Sequence, residues 1–243
     1  MAKQGSKSRT RRLTPKQMAA LAVVCIIVAA VNWYLQPEQP ELSGITLETI
    51  PAYSGEAWVE LAGNEPAFTR DDMTLEPFEN YSELDGLGRC GVAYANICTE
   101  LMPTEAREGI GNVKPTGWIS AKYDCVEGKY LYNRCHLIGF QLAGENANKQ
   151  NLITGTRYLN VTGMLPFENE VADYVQRMDR HVLYRVTPVF EGDELVARGV
   201  QMEAYSVEDA GDGVCFNVFV YNVQPGVEID YATGESWLAE DAA

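Results

Sequence analysis

The residues able to do chemistry concentrate between Arg134 and Glu168. Arg134 and His136 stand two apart, and Asn151, Arg157, Asn160 and Glu168 follow. A cation, an imidazole and a carboxamide oxygen are the parts needed to cleave a phosphodiester with one metal ion. Imidazole is the natural base for deprotonating water, because its ordinary pKa lies near neutrality. A hard divalent cation such as magnesium prefers oxygen ligands and keeps most of its waters, so one protein carboxamide can hold it. A guanidinium matches phosphate oxygens through its planar fork. Each residue also has a plainer reading: Asn160 as a cap or turn residue, Glu168 as a solvated acid beside Pro166, and Arg157 as a surface ion-pair partner. The second histidine, His181, lies beside Arg180 at the start of a strand and reads as a surface residue.

These side chains need elements to position them. Residues 116–124, a turn at 126–128 and residues 129–135 read as a β-hairpin that ends on His136. Residues 137–147 are mixed loop and helix. From 151 to 174 the spacing of Leu152, Leu159, Met164, Phe167, Val171 and Tyr174 suits one helix or two short ones, with Pro166 starting or kinking one of them. On a regular helix Asn160 and Glu168 would sit roughly 80° apart around the axis. Residues 181–190, 195–205 and 214–223 read as strands, with turns at 191–193 and 211–213. Residues 45–68 suggest one or two short strands, and the acidic run 69–85 a loop or helical turn. The order predicts an α+β fold with a central antiparallel sheet and a β–β–α unit at its heart.

The formal charge is −15, but residues 1–17 carry six cations and no acid, which leaves the remainder at −21. That balance argues against tight nucleic-acid binding through bulk charge, though a local basic cleft remains compatible with it. The basic tail 1–17 precedes an apolar run, residues 18–35, interrupted only by Asn32. The run is just long enough to span a bilayer, and the preceding cations predict a cytoplasmic N-terminus. It reads as an uncleaved signal anchor. The alternative is a secretory signal peptide cut after Ala30, with Val28 at the −3 position. Both place the following domain, residues 44–243 after a linker at 36–43, outside the membrane. Cys25 lies in the apolar run, and Cys90, Cys98, Cys125, Cys135 and Cys215 follow it. An extracytoplasmic location permits disulfides, but spacing does not give their connectivity. Cys215, in an alternating apolar run, reads as a buried free thiol. No CxxC pair supports a zinc site.

Asn133-Arg134-Cys135-His136 resembles the Asp-Arg-Gly-His signature of the DNA/RNA non-specific endonucleases, the ββα-metal family. Residues 151–153 and 157–160, with Glu168 eight positions on, resemble that family's metal-binding helix. Residues 184–187, 216–218, 222–224 and 230–235 are similar to segments of the streptococcal DNA-entry nucleases, so the likeness covers about residues 45–237. The resemblance implies a ββα-metal core and Mg²⁺-dependent hydrolysis of DNA or RNA, with Mn²⁺ as a substitute. His136 would be the general base and Asn160 the direct metal ligand. Glu168 would hold metal-bound waters, Arg134 and Arg157 would contact phosphate, and Asn133 and Asn151 would orient the base or its loop. Two positions depart from the signature. Asn133 stands in place of aspartate, and Cys135 replaces glycine, with a disulfide to Cys125 as one candidate pairing.

Two other functions compete. A thiol hydrolase using Cys135 and His136 is disfavoured because adjacent strand residues point to opposite faces. A catalytically silent module that binds nucleic acid or a partner would keep the fold without the hydrolysis.

Overall fold

The central sheet has two unlike faces, and each determines what covers it. The computed structural model describes residues 45–240. The tail, the apolar run 18–35, the linker and the anchor expected there lie outside the described residues. Among the described residues no helix is long and apolar enough to cross a membrane. Six strands form the sheet: β1 (Trp58–Glu60), β2 (Phe78–Tyr81), β3 (Ala93–Ile97), β6 (Val182–Val189), β7 (Gly199–Ser206) and β8 (Cys215–Tyr221). Their order is β1-β8-β7-β6-β3-β2, with every neighbouring pair antiparallel.

Side chains alternate across a strand, so residues two apart share a face. Val182, Tyr184 and Val186, Val200, Met202 and Ala204, and Phe216, Val218 and Val220 line one face. Against them pack Phe167, Val171, Ala172, Tyr174 and Val175 of the helix α2 (Leu165–Met178). The other face carries Asn96, Gln201, Glu203 and Asn217, all buried. Buried polar groups require partners, and the segment N-terminal to β2 supplies several of them. Asn96 Nδ2 donates to the Thr74 and Glu76 carbonyls at 2.9 and 3.0 Å, and Asn217 Nδ2 to Glu65 at 2.8 Å. Glu203 accepts from the Ala67 amide at 2.8 Å and from Arg185 Nε at 2.7 Å. Buried ionic and amide groups thereby fix one route for that segment.

A separate antiparallel pair, β4 (Tyr132–His136) and β5 (Leu152–Thr156), holds the candidate site. Between them runs the short helix α1 (Phe140–Ala143), and after them comes a π-helical turn, Leu159–Met164, continuous with α2. Asn222 fastens this unit to the main sheet. Its Nδ2 donates to the carbonyls of Thr154 and Ala197 at 3.0 and 2.8 Å, and its Oδ1 accepts from the Thr156 amide at 2.8 Å. Thr156 Oγ1 donates to Val223 O at 2.7 Å and accepts from the Leu159 amide at 2.9 Å, starting the helix that follows. The final strands, β9 (Val227–Ile229) and β10 (Ser236–Leu238), form a small hairpin.

The α+β class, the central antiparallel sheet and the strands at 182–189, 199–206 and 215–221 agree with the sequence reading. The expected hairpin partner of β4 was wrong. Residues 116–131 form a loop with a single bridge, Lys122 to Tyr130, and their apolar side chains Trp118, Ala121 and Tyr123 pack under Val126, Leu131, Tyr132 and Val227. The true partner is β5, which lies within the span 151–174 whose spacing suits a helix. It is buried along its whole length, and a strand covered on both faces has no alternation to distinguish it from a helix. The acidic run 69–85 contains β2, hidden by its charged flanks. The candidate Cys125–Cys135 disulfide is also absent: all five described cysteines are free, with Cys125 exposed and Cys135 buried. Cys215 is a free thiol, but only partly buried.

Candidate active site

His136 ends β4 and is 6% exposed. Its Nε2 lies 2.8 Å from the Asn146 carbonyl oxygen, and Arg107 Nη2 lies 3.3 Å from its Nδ1. A carbonyl can only accept and a guanidinium can only donate, so the proton belongs on Nε2 and the lone pair on Nδ1. Burial and the Arg107 charge hold the imidazole below its ordinary pKa, against the pull of the Asn146 hydrogen bond. At neutral pH the neutral ring therefore predominates, and its basic nitrogen, Nδ1, accepts from Arg107.

The loop after His136 is pinned by Asn151. Its Oδ1 accepts from the Ile138 amide at 2.8 Å, its Nδ2 donates to the Ile138 carbonyl at 2.9 Å, and its own carbonyl accepts from Leu137 at 2.9 Å. Asn151 thus orients the chain that carries the imidazole and makes no contact with the ring among these bonds.

Asn160 lies in the π-helical turn, where the Leu165 amide donates to its carbonyl. A π turn accommodates about one extra residue, so the eight steps to Glu168 rotate like seven, roughly 700°. The two side chains therefore come within about 20° of one another, rather than the ~80° of a regular helix. Pro166 follows directly, at the start of α2, where its missing N–H is tolerated. Glu168 is pressed onto the backbone of Gly139: a Cβ at Gly139 would lie 2.7 Å from Glu168 Oε2. Burial pushes the Glu168 carboxyl up to about 7, with Arg107 opposing the rise. Because Gly139 has an ordinary φ of −58°, Gly139→Ala is expected to displace this carboxylate without straining the backbone. The measurable outcome is a raised Mg²⁺ requirement at an unchanged melting temperature.

The arginines divide by what already holds them. Arg134 Nε donates to Val113 O at 2.5 Å and Nη2 to Gly111 O at 2.9 Å, and its guanidinium lies 4.1 Å over the Trp118 ring. It chiefly braces the 111–118 loop, leaving Nη1 for a ligand. Arg157 approaches Glu127 only at 3.7 Å, and its Nε is buried without a partner. Asn133 has its Nδ2 in the same condition.

His136, Arg107, Asn160, Glu168, Arg134, Arg157 and Asn133 line one cleft of about 880 Å³, and Asn151 does not. Its wall holds four cations, Arg107, Lys114, Arg134 and Arg157, and one carboxylate, Glu168. The acidic balance of the chain is therefore inverted locally, in the place where an anion would meet His136. Cys135 faces the opposite way from His136. It is buried, its thiol is pushed far above the ordinary range by desolvation, and its Sγ lies 3.1 Å from Asn160 Oδ1. Neither its protonation nor its direction suits a nucleophile served by His136.

The sequence pattern of the DNA/RNA non-specific endonucleases matches residues 70–208, more than half of the chain. The chain belongs to this family. A deoxyribonuclease of Streptococcus dysgalactiae subsp. equisimilis is 35% identical over 111 residues, 43% of this chain and 32% of that protein. The chain thus matches about a third of that relative's length. Solved structures are also similar. NucA from Streptococcus agalactiae with magnesium bound gives a TM-score of 0.66 at 28% identity, over 74% of this chain and 86% of NucA. Its metal-free form gives 0.69 at 26%, over 80% and 92%. The Sda1 nuclease with bound zinc gives 0.63 at 26%, over 76% and 97%.

Two features of this endonuclease-family site had no strong signal in the sequence. Arg107 reaches His136 from 29 positions earlier in the sequence, and nothing local marks it. Asn146 acts through its backbone carbonyl, which any residue would supply.

Proposed function

We propose that this protein is a Mg²⁺-dependent, sequence-non-specific endonuclease that hydrolyses phosphodiester bonds of DNA, with RNA as a second substrate. The observation that carries this reading is the unprotonated Nδ1 of His136, which accepts from Arg107 in a cation-lined cleft that also holds Asn160 and Glu168. The two helix residues offer oxygen donors to a hard ion, one neutral and one anionic, which fits Mg²⁺ and equally Mn²⁺. Asn160 Oδ1 would ligate the ion directly, and Glu168 would hold its waters. When bound, the ion would neutralise charge gathering on the phosphoryl and leaving oxygens.

The chain's own residues supply the rest. His136 Nδ1 takes a proton from water as the water oxygen forms its bond to phosphorus and the bond to the leaving oxygen breaks. Arg107 now sits where that water must lie, so an incoming phosphate draws its guanidinium away and frees the base. Arg157, Asn133 and Arg134 line the same cleft and would contact that phosphate. The runner-up, a silent binding module, lacks any feature that explains a neutral, tautomer-fixed imidazole in this cleft. The domain at 44–243 would act outside the cell membrane, held there or released according to the fate of residues 18–35.

Plasmid nicking by the purified protein, with Mg²⁺ or EDTA and with RNA alongside, tests the reading. Cleavage that requires the ion is expected; a folded protein that binds DNA in Mg²⁺ and leaves it intact would instead be the silent module. Arg107 gives a sharper expectation. Its charge depresses the His136 pKa, so the acid limb of kcat/KM should lie below about 6.5. In Arg107→Ala that limb should move upward, and KM should rise. A pH–rate profile reads both effects, and an unmoved limb would show that Arg107 does not act on the base.

A further inference from the structure

Cys135 occupies a position that is glycine in the family signature, and its surroundings give the thiol a task. Its register partner on β5 is Ile153. The room for its side chain comes from Gly155, where a Cβ would lie 2.7 Å from the Cys135 Cβ. From that space Sγ reaches Asn160 Oδ1 at 3.1 Å, Met164 Sδ at 3.5 Å and the His136 carbonyl at 3.7 Å. The carboxamide oxygen is both the nearest of the three and a far better acceptor than a thioether. The thiol is 1% exposed, so water does not compete for its proton. A buried cysteine commonly serves as a small hydrophobe. This one instead directs its single donor at a polar atom of a side chain that lines the cleft.

We propose that Cys135 is a positioning residue: its S–H holds Oδ1 of Asn160 by one lone pair, fixing the carboxamide plane so that oxygen, and not nitrogen, is presented to a divalent cation. A carboxamide can rotate to exchange its two ends, and only the oxygen end ligates a metal. A donor fixed in the protein interior disfavours the exchanged form, which would set Nδ2–H against the thiol. The glycine of the family signature has no side-chain donor, so this chain carries a support which that signature lacks. The inference rests on the reading of Asn160 as the metal ligand.

The experiment is calorimetric titration of MnCl₂ into the full-length protein without nucleic acid, followed by Mg²⁺ titration of nicking. Cys135→Ala, Cys135→Ser and Asn160→Ala are compared with the parent, and Cys135→Gly provides a second donor-free variant if the alanine protein does not fold. Loss of one hydrogen bond should weaken Mn²⁺ binding about threefold to tenfold in Cys135→Ala. The Mg²⁺ midpoint should shift by a similar factor, and kcat at saturating Mg²⁺ should be nearly unchanged. Cys135→Ser, which keeps a donor, should bind within about twofold of the parent. Parent-like binding by Cys135→Ala overturns the inference. Equal weakening in the serine and alanine variants also overturns it, because packing would then explain the effect. Unchanged Mn²⁺ binding by Asn160→Ala would remove the ligand assignment itself, a failure distinct from the other two.

Discussion

His136→Ala is expected to lower kcat for DNA cleavage by about 10²–10⁴-fold, the usual contribution of a positioned general base. Two features of the site support an effect near the upper end. Burial and Arg107 depress the pKa of the ring, so the basic form predominates in the parent at neutral pH. Its Nδ1 is also fixed in direction, because the Asn146 carbonyl takes the proton on Nε2. Removing the ring leaves that partly buried carbonyl without its donor, which costs about 1 kcal/mol. The variant must therefore be shown to be folded at the assay temperature by circular dichroism. Exogenous imidazole supplies a second check, since a small base entering the vacated space should restore part of the rate. A folded variant that cleaves at the parent's rate would remove His136 from the mechanism.

Asn160→Ala is expected to reduce activity by roughly 10³-fold at ordinary Mg²⁺ concentrations, because ion-derived stabilisation is worth several kcal/mol. The π turn should survive the change. Its hydrogen bond runs from the Leu165 amide to the backbone carbonyl at position 160, and alanine keeps that carbonyl. The fold and DNA binding through the cleft cations should then persist while turnover is lost. Partial recovery at high Mg²⁺ is expected, because Glu168 can still hold metal-bound waters. Circular dichroism, DNA binding and an Mg²⁺ titration of nicking together separate loss of the ion from loss of the helix. If turnover falls without any change in the Mg²⁺ midpoint, Asn160 acts otherwise than as a ligand.

The sequence by itself determined the family, the α+β class and six of the residues that meet in the cleft, Asn133, Arg134, His136, Arg157, Asn160 and Glu168. Those properties follow from residue type and short spacing. Alternation marks β6, β7 and β8 because each has two chemically distinct faces. The stretch from Asn133 to Glu168 carries its chemistry within one short span of chain. The 222–224 and 230–235 segments were also legible as resemblances, although their purpose was not. Asn222 ties β5 to the sheet through Thr154 and Thr156, and Tyr132 donates to the carbonyl of Gly234 at 3.0 Å.

Tertiary structure alone decided which strand accompanies β4, where Arg107 falls, and how Asn160 and Glu168 come to share a face. Strand choice depended on burial: β5 is covered on both sides, so its pattern imitated a helix until its neighbours were in place. Arg107 arrives from a distant loop, and the field it sets up at His136 and Glu168 exists only once all three are brought together. The local inversion of charge is of the same kind, since a chain of net charge −15 gathers four cations on one wall. The alignment of Asn160 with Glu168 rests on one extra residue in a helical turn, which composition does not announce. Residue types specify which groups can react. Their distances, protonation states and relative rotation come from long-range packing and desolvation, which arise only in the assembled fold.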